Sequence, residues 1–421
     1  MLSEGVDWSE DFHLVALGRP GEGVFDVIRV EHRPEAVGRL LTRIAQLEPE
    51  PDEVRVVIET RHGLLVEALL DAGFVVLPVN PDLVARRRGP ARKKDDTEDA
   101  RIACRLGLDR FASLKPLVPH GDLAGELRSL ARDDGRAARD QRRLLNRLRM
   151  DLVRSFPAAL DIVGEDLGAP TMLRLLERWP TAGLLAAASR EDLVEFARSL
   201  HHGWPERLAD RIVSALSQAQ FVARPALIRA KADGIRLAAS QLLLIGQQRK
   251  LWQRRMGELL GVPRRGRDHQ PRTDELGQKF PNGEIYLSFA GLGDRLAARV
   301  AGEIGDPPQQ FSSPNSLQCY AGKAAVTRRS GKSEFVVAHR LACNRHLPDA
   351  VQQWAFCSLK ESGWAREFYD AKRAAGKTHN ASLRALGNRW LEVLWHCLKN
   401  RTRYDEALHV ANRNRALGRA A

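Results

Sequence analysis

Four acidic residues, Asp7, Glu59, Asp96 and Asp99, are of the type that could hold divalent metal if the fold brings them together. Asp7 lies in the run EGVDWSED, just before a strand, and Glu59 ends the apolar run VRVVIE. Strand ends open onto the face where α/β folds place ligands. Farther on, Lys93-Lys94-Asp95-Asp96-Thr97-Glu98-Asp99-Ala100 runs into the helical RIACRL. Asp96 and Asp99 are three apart, so a helix projects both carboxylates from one face. Phosphoryl transfer at DNA calls for two divalent cations about 4 Å apart, and Mg2+ takes oxygen ligands while keeping several waters. Two strand ends and one helix face would supply such ligands. Acids that open a helix also favour its dipole, so spacing alone leaves DDTED open between a helix cap and a metal site.

The second candidate chemistry is a hydroxyl among cations. In Val326-Thr327-Arg328-Arg329-Ser330-Gly331-Lys332-Ser333, the cations Arg328, Arg329 and Lys332 flank Ser330. Such cations favour an approaching phosphate and the charge that develops on it, which suits a nucleophile. Ser333 is the fallback hydroxyl, and a phosphate-binding or phosphorylated loop fits the same residues. The segment is not a P-loop, because Gly331-Lys332-Ser333 follows Gly322 at the wrong spacing. Upstream, the Gly-x-Gly of Phe289–Asp294 reads either as a tight turn or as a hinge presenting N–H groups to a phosphate.

The elements that must position these groups can be read from periodicity. Phe12–Gly18 and Phe25–His32 read as strands joined by a turn at Arg19-Pro20-Gly21. Val37, Leu40, Leu41, Ile44 and Leu47 have amphipathic-helix spacing within Pro34–Leu47. Val54–Thr60 reads as a buried strand, Leu64–Ala72 as a helix and Val75–Val79 as another strand. Two hairpin-like strands followed by strand–helix–strand units suggest a mixed α/β sheet, an order that fits an RNase H-like layout among others.

From about Ala100 to Leu260 the pattern turns helical. Arg128–Phe156 and Ala226–Leu260 read as long helices that suit either a coiled-coil arm or a plain bundle, and Ala169–Ser217 as several short ones broken at Trp179-Pro180. Gly261–Gly283, rich in Pro, Gly and charge, reads as a linker or exposed loop. Trp354, Trp364, Phe368, Trp390 and Trp395 could stack on bases, but at helical spacing the core reading is favoured. The expected domains are 1–110, a helical region 111–262, a linker 263–283, a mostly helical domain 284–410 and a basic tail 411–421 carrying Arg413, Arg415 and Arg419.

The chain of 421 residues is long enough for two or three cores. Its net charge of +13 is uneven: from Cys319 to Ala421, nineteen Lys and Arg face eight Asp and Glu, an excess of eleven. A concentrated basic excess marks a polyanion partner, because Lys and Arg gain free energy by releasing counterions from phosphates. Nothing approaches the roughly 18 consecutive apolar residues of a membrane span, and no signal peptide opens the sequence. Five cysteines, never spaced CxxC, suit a reducing cytoplasm rather than disulfides or a zinc cluster.

The spread of Asp7, Glu59 and K-x-D-x-x-D-A at Lys94–Ala100 resembles the DEDD insertion-sequence transposases of the 110/116/902 type. That group includes the pilin invertase Piv and the bridge-RNA-guided recombinases. DAGFVVLPVNP at Asp71–Pro81 is similar to the segment those proteins carry between the Glu and the paired Asp. YAGKAAVTRRSGKS and RLACNRHLPDAVQQWA resemble their second domain, in which a serine directly before glycine attacks the DNA phosphate.

The resemblance implies a RuvC-like first domain whose metal ligands are Asp7, Glu59, Asp96 and Asp99, with Mg2+ (or Mn2+) as cofactor. It implies Ser330 as the nucleophile that forms a phosphoserine link. The implied partners are DNA at the element ends and target, an element-encoded guide RNA and further copies of the chain as a dimer or tetramer. The expected setting is the bacterial cytoplasm, at the nucleoid. The rival expectations are a hydrolytic Holliday-junction nuclease of RuvC type and a non-catalytic nucleic-acid-binding regulator.

Overall fold

The computed structural model describes residues 1–88, 95–109, 114–118, 121–164, 166–218, 222–262, 264–265, 271–272, 279–305, 311–324, 326–330, 333–337 and 343–418. It divides into two compact units, Met1–Pro119 and His120–Ala421.

The first unit is a five-stranded mixed sheet. Its strands are β1 (Leu2–Trp8), β2 (Phe12–Arg19), β3 (Gly23–Glu31), β4 (Val54–Ile58) and β5 (Val75–Pro78). They lie in the RNase H-like order β3-β2-β1-β4-β5. The first three pair antiparallel, whereas β4 runs parallel to β1 and β5 parallel to β4. Asp7, which precedes β2, lies within β1 and pairs with Leu14.

Helices α1 (Pro34–Leu47) and α2 (Leu64–Asp71) cover one face. Pro34 opens α1, where its missing N–H costs nothing, and Ala36, Leu40 and Ile44 form its buried stripe. They pack with Leu65, Val66 and Leu69 of α2 onto Leu2, Val6, Val15, Leu17, Val56 and Ile58. The short α3 (Pro81–Arg87) follows β5, its N-terminus capped by Asn80, whose side chain accepts from the Asp82 N–H at 3.0 Å.

Helix α4 (Asp96–Leu108) covers the other face, burying Ala100, Ile102, Ala103, Cys104 and Leu106. It lies so close to β1 that a Cβ on Gly5 would run into the backbone of Ala100 and Cys104. Reciprocal hydrogen bonds tie the pair: the Ser3 hydroxyl donates to the Cys104 carbonyl at 2.8 Å, and the Cys104 thiol to the Ser3 carbonyl at 3.3 Å.

The second unit is mostly helical. Its spine is α5 (Asp122–Ser155) against α11 (Pro225–Leu260). Between them in sequence come α6 (Ala158–Val163), α7 (Pro170–Arg178), α8 (Ala182–Ala186), α9 (Arg190–Ser199) and α10 (Pro205–Ser217). These pack on Leu148 and Leu152 of α5 and on Ile235, Ala239 and Leu242 of α11.

The opposite ends of the spine, Leu127 with Met256 and Leu260, belong to a second core. That core is completed by α12 (Gly283–Leu287), α13 (Asp294–Ile304), α14 (Pro314–Tyr320), α15 (Leu347–Ser358), α16 (Gly363–Ala374), α17 (His379–Asn400) and α18 (Glu406–Gly418). Each long helix thus serves two cores, and α11 keeps Leu237, Leu244 and Leu251 exposed. The aromatic residues take the core reading. Trp354 and Trp390 are fully buried, their rings stacked at 5.4 Å, with Trp364 and Trp395 beside them in the same core.

Two strand pairs punctuate this unit. β6 (Arg264–Arg265) pairs with β7 (Pro271–Arg272), and β8 (Val326–Ser330) with β9 (Ser333–Val337). The rest of the 263–278 stretch of the expected linker lies outside the described residues. The Gly-x-Gly segment is a packing turn: Gly291 has φ +78, its N–H donates to a Glu361 carboxylate oxygen at 2.7 Å, and a Cβ there would strike Ser358 of α15. No helix among the described residues is long and apolar enough to cross a membrane. The five cysteines are free thiols.

Candidate active site

The parallel register of β1 and β4 runs from Leu2 opposite Val54 to Val6 opposite Ile58. Asp7 and Glu59 are therefore the next residues along two neighbouring strands. Alternation along β1 puts Asp7 on the face of Ser3 and Gly5, the face covered by α4. Ser3 meets Cys104 and Gly107, and Gly5 meets Ala100, so α4 runs opposite to β1 and brings its first turn toward Asp7.

That turn sorts the DDTED run residue by residue. Asp95 is the N-cap, its carboxylate accepting from the Thr97 N–H at 2.9 Å and the Glu98 N–H at 3.4 Å. Glu98 turns outward to Arg105 at 2.8 Å and Arg101 at 3.8 Å. Asp96 begins the helix and is exposed. Asp99, one turn on, is only 4% exposed.

The sequence reading missed Arg88, the C-cap residue of α3. Its Nε donates to Asp99 Oδ1 and its Nη2 to Asp99 Oδ2, both at 2.5 Å. Two parallel N–H···O bonds are the strong, orientation-fixing form of an Arg–carboxylate pair. The hydrogen bonds to Asp99, with the negative fields of Asp99, Glu59 and Asp7, hold the Arg88 guanidinium above its ordinary pKa. The signal available in the sequence was the basic run Arg86-Arg87-Arg88 just after Asn80-Pro81-Asp82. Among the described residues no three His, Cys, Asp or Glu side chains form a ready ligand set, and each Asp99 oxygen accepts a hydrogen bond from Arg88.

In the second unit, Ser330 is the last residue of β8, opposite Ser333, with Arg328 opposite Phe335 and Arg329 opposite Glu334. Lys332 lies outside the described residues, as do the side chains of Arg328, Arg329 and Ser330. The chain on either side of this hairpin is closed by a buried network. Arg132 of α5 grips Glu303 at 2.7 and 2.9 Å, the Asn344 side-chain amide donates to Glu303 at 2.7 Å and to the Tyr320 hydroxyl at 2.8 Å, and the Asn344 N–H donates to the Tyr320 carbonyl at 2.8 Å. Hydrogen bonds from Arg132 and Asn344 outweigh burial and hold the Glu303 pKa below its ordinary value.

Residues 4–157 match the DEDD transposase family of IS110 type, and residues 283–370 match the transposase IS116/IS110/IS902 family. The chain is 30% identical over 409 residues to the mini-circle putative transposase for IS117 of Streptomyces coelicolor, spanning 96% of this chain and 95% of that one. The chain belongs to the IS110/IS116/IS902 family of transposases. It is also 27% identical over 411 residues to the 44.8 kDa protein of insertion element IS116 from Streptomyces clavuligerus, 96% of each chain. With the 42 kDa protein of insertion element IS900 from Mycobacterium paratuberculosis it shares 26% over 388 residues, 91% of this chain and 92% of that one. The transposase therefore acts on DNA by cutting and transferring strands, and its DEDD domain is of a kind that uses divalent metal.

Proposed function

We propose that this transposase excises and inserts its element through direct attack of the Ser330 Oγ on a DNA phosphorus. The new Oγ–P bond replaces the bond to a 3′-oxygen. That oxygen leaves as a hydroxyl, the serine proton balancing it, and the 5′ side stays on the protein as a phosphoserine ester. An ester has replaced an ester, so attack by a 3′-hydroxyl on the same phosphorus rejoins DNA and frees the serine without outside energy.

Asp7, Glu59, Asp96 and Asp99 would hold Mg2+, with Mn2+ as a substitute. Their all-oxygen donor set fits a hard cation, and buried Asp99 requires a positive partner. Bound ions would supply the charge that acidifies the hydroxyl and steadies the leaving oxygen. Arg328, Arg329 and Lys332 would grip the DNA backbone beside Ser330.

The composite site would join residues 1–110 of one copy to residues 284–410 of another, in a dimer or tetramer, with an element-encoded RNA choosing the DNA sites. The observation that supports the metal half of this reading is the parallel register of β1 and β4, which sets Asp7 and Glu59 side by side, with the turn of α4 that carries Asp96 and Asp99 approaching Asp7.

A covalent-trapping assay tests it: protein, Mg2+, labelled donor-junction DNA and RNA transcribed from the element flanks, resolved on a denaturing gel. A protein–DNA adduct is expected, absent in both Ser330→Ala and Asp96→Asn. Nicked DNA without any adduct would instead establish water as the nucleophile and make the protein a hydrolytic nuclease.

A further inference from the structure

We infer that Arg88 is a built-in counter-ion of the carboxylate cluster, competing with divalent metal for Asp99 and holding the acids together until a cation displaces it. The inference rests on the proposed assignment of Asp99 as a metal ligand, and it concerns a residue outside the DEDD set.

The first support is stoichiometric. Asp99 has two carboxylate oxygens, and the fork of Nε and Nη2 takes both at 2.5 Å. The fork uses one lone pair on each oxygen, so a metal ion chelated by both oxygens from that side competes with it. The second is solvation: at 4% exposure Asp99 has almost no water to stabilise its charge, and a buried charge without a partner is strongly destabilising. Arg88 is the partner that answers this charge in the fold. The third is position: Asp7 and Glu59 follow the paired Val6 and Ile58 on neighbouring strands, and α4 brings the turn carrying Asp99 toward Asp7.

Arg88 also has a route out. Its side chain keeps 19% of its surface accessible, and it caps a seven-residue helix rather than lying within one. Released from Asp99, it stays within side-chain reach of the cluster. There a planar cation suited to phosphate would serve the incoming DNA backbone instead of the carboxylate.

The experiment uses the full chain, free of nucleic acid, with Mn2+ binding followed by electron paramagnetic resonance and melting followed with and without Mg2+. Arg88→Gln keeps hydrogen-bonding capacity without charge, and Arg88→Ala removes both. Both variants should bind Mn2+ about tenfold or more tightly than the unaltered protein, the competitor being gone. With chelator present they should melt lower than the unaltered protein, and saturating Mg2+ should close that gap.

Equal or weaker Mn2+ binding by both variants, with the unaltered protein still binding, would overturn the role of Arg88 while leaving the metal site standing. A melting gap that persists unchanged in Mg2+ would do the same, making the pair purely structural. Absence of Mn2+ binding in every form, including Asp99→Asn, would overturn the metal reading itself and the inference with it.

Discussion

Asn344 and Tyr320 close the base of the chain excursion that carries Ser330. One backbone hydrogen bond, Asn344 N–H to Tyr320 carbonyl, and one side-chain bond, Asn344 amide to Tyr320 hydroxyl, each of 2.8 Å, join residues on opposite sides of the hairpin. The Asn344 amide oxygen meanwhile accepts from the N–H groups of His346 and Leu347 at 2.7 and 2.9 Å, fastening the start of α15. The flanks of the hairpin are thereby anchored through Asn344, which Glu303 and Arg132 hold in turn to α5; on the proposed assignment of Ser330, that anchoring positions the nucleophile.

Replacing Asn344 should therefore cost both stability and strand transfer. Asn344→Ala leaves Glu303 and the α15 N-terminus short of partners, at about 1–3 kcal/mol. Asn344→Asp should be worse than alanine, since a second carboxylate would face Glu303 where the amide donated. Urea unfolding of the two variants decides the order, and an aspartate variant as stable as the unaltered protein would refute the role of the amide donor.

Glu4 lies in β1, fully buried, with neither carboxylate oxygen hydrogen-bonded, and burial pushes its pKa up to about 8. The unfolded chain ionises this group near the ordinary carboxylate value of 4.5, so between there and pH 8 the folded state binds the extra proton. Stability therefore falls as pH rises through that window and levels off above it. Glu4→Gln keeps the shape and removes the titration. It should unfold like the unaltered protein at pH 4 and be more stable by on the order of 4 kcal/mol at pH 9. A difference between the two proteins that does not change with pH would show that Glu4 is charged in the fold.

Gly5 sets the distance between β1 and α4, and through it the distance between Asp7 and the helix turn carrying Asp96 and Asp99. Gly5→Ala would force its methyl group into the backbone of Ala100 and Cys104. Overpacking of this kind costs about 1–3 kcal/mol, and backbone yields less readily than a side chain. The variant should melt lower and should also lose Mn2+ affinity at temperatures where it remains folded. Unchanged affinity in the folded variant would separate the helix position from the acid cluster.

Much of this protein was readable from the chain alone. Helix α1 has the bounds its periodicity predicts, because Pro34 starts it and Ala36, Leu40 and Ile44 repeat at the helical period. Two hairpin-like strands followed by strand–helix–strand units pointed to a mixed α/β sheet, while its order, with β1 at the centre, needed the pairing itself. Asp7 does precede the strand Phe12–Arg19, but the pattern alone did not show that it also lies inside a strand of its own. A seven-residue β1 with few apolar positions, LSEGVDW, is recognised as central only once β2 and β4 pair on either side.

Sequence by itself determined the local quantities: the helical spacing of Asp96 and Asp99, the basic excess of the last quarter, and the motifs that mark the family. Only the tertiary structure decided that Asp95 caps α4, that Glu98 points outward and that Asp99 is buried. It also made Arg88, eleven positions from Asp99, the cation that answers that buried charge. Spacing along one helix fixes which side chains share a face. Whether that face meets solvent, a strand or a guanidinium depends on how closely β1 lets α4 approach, and Gly5 permits that contact from more than ninety residues away.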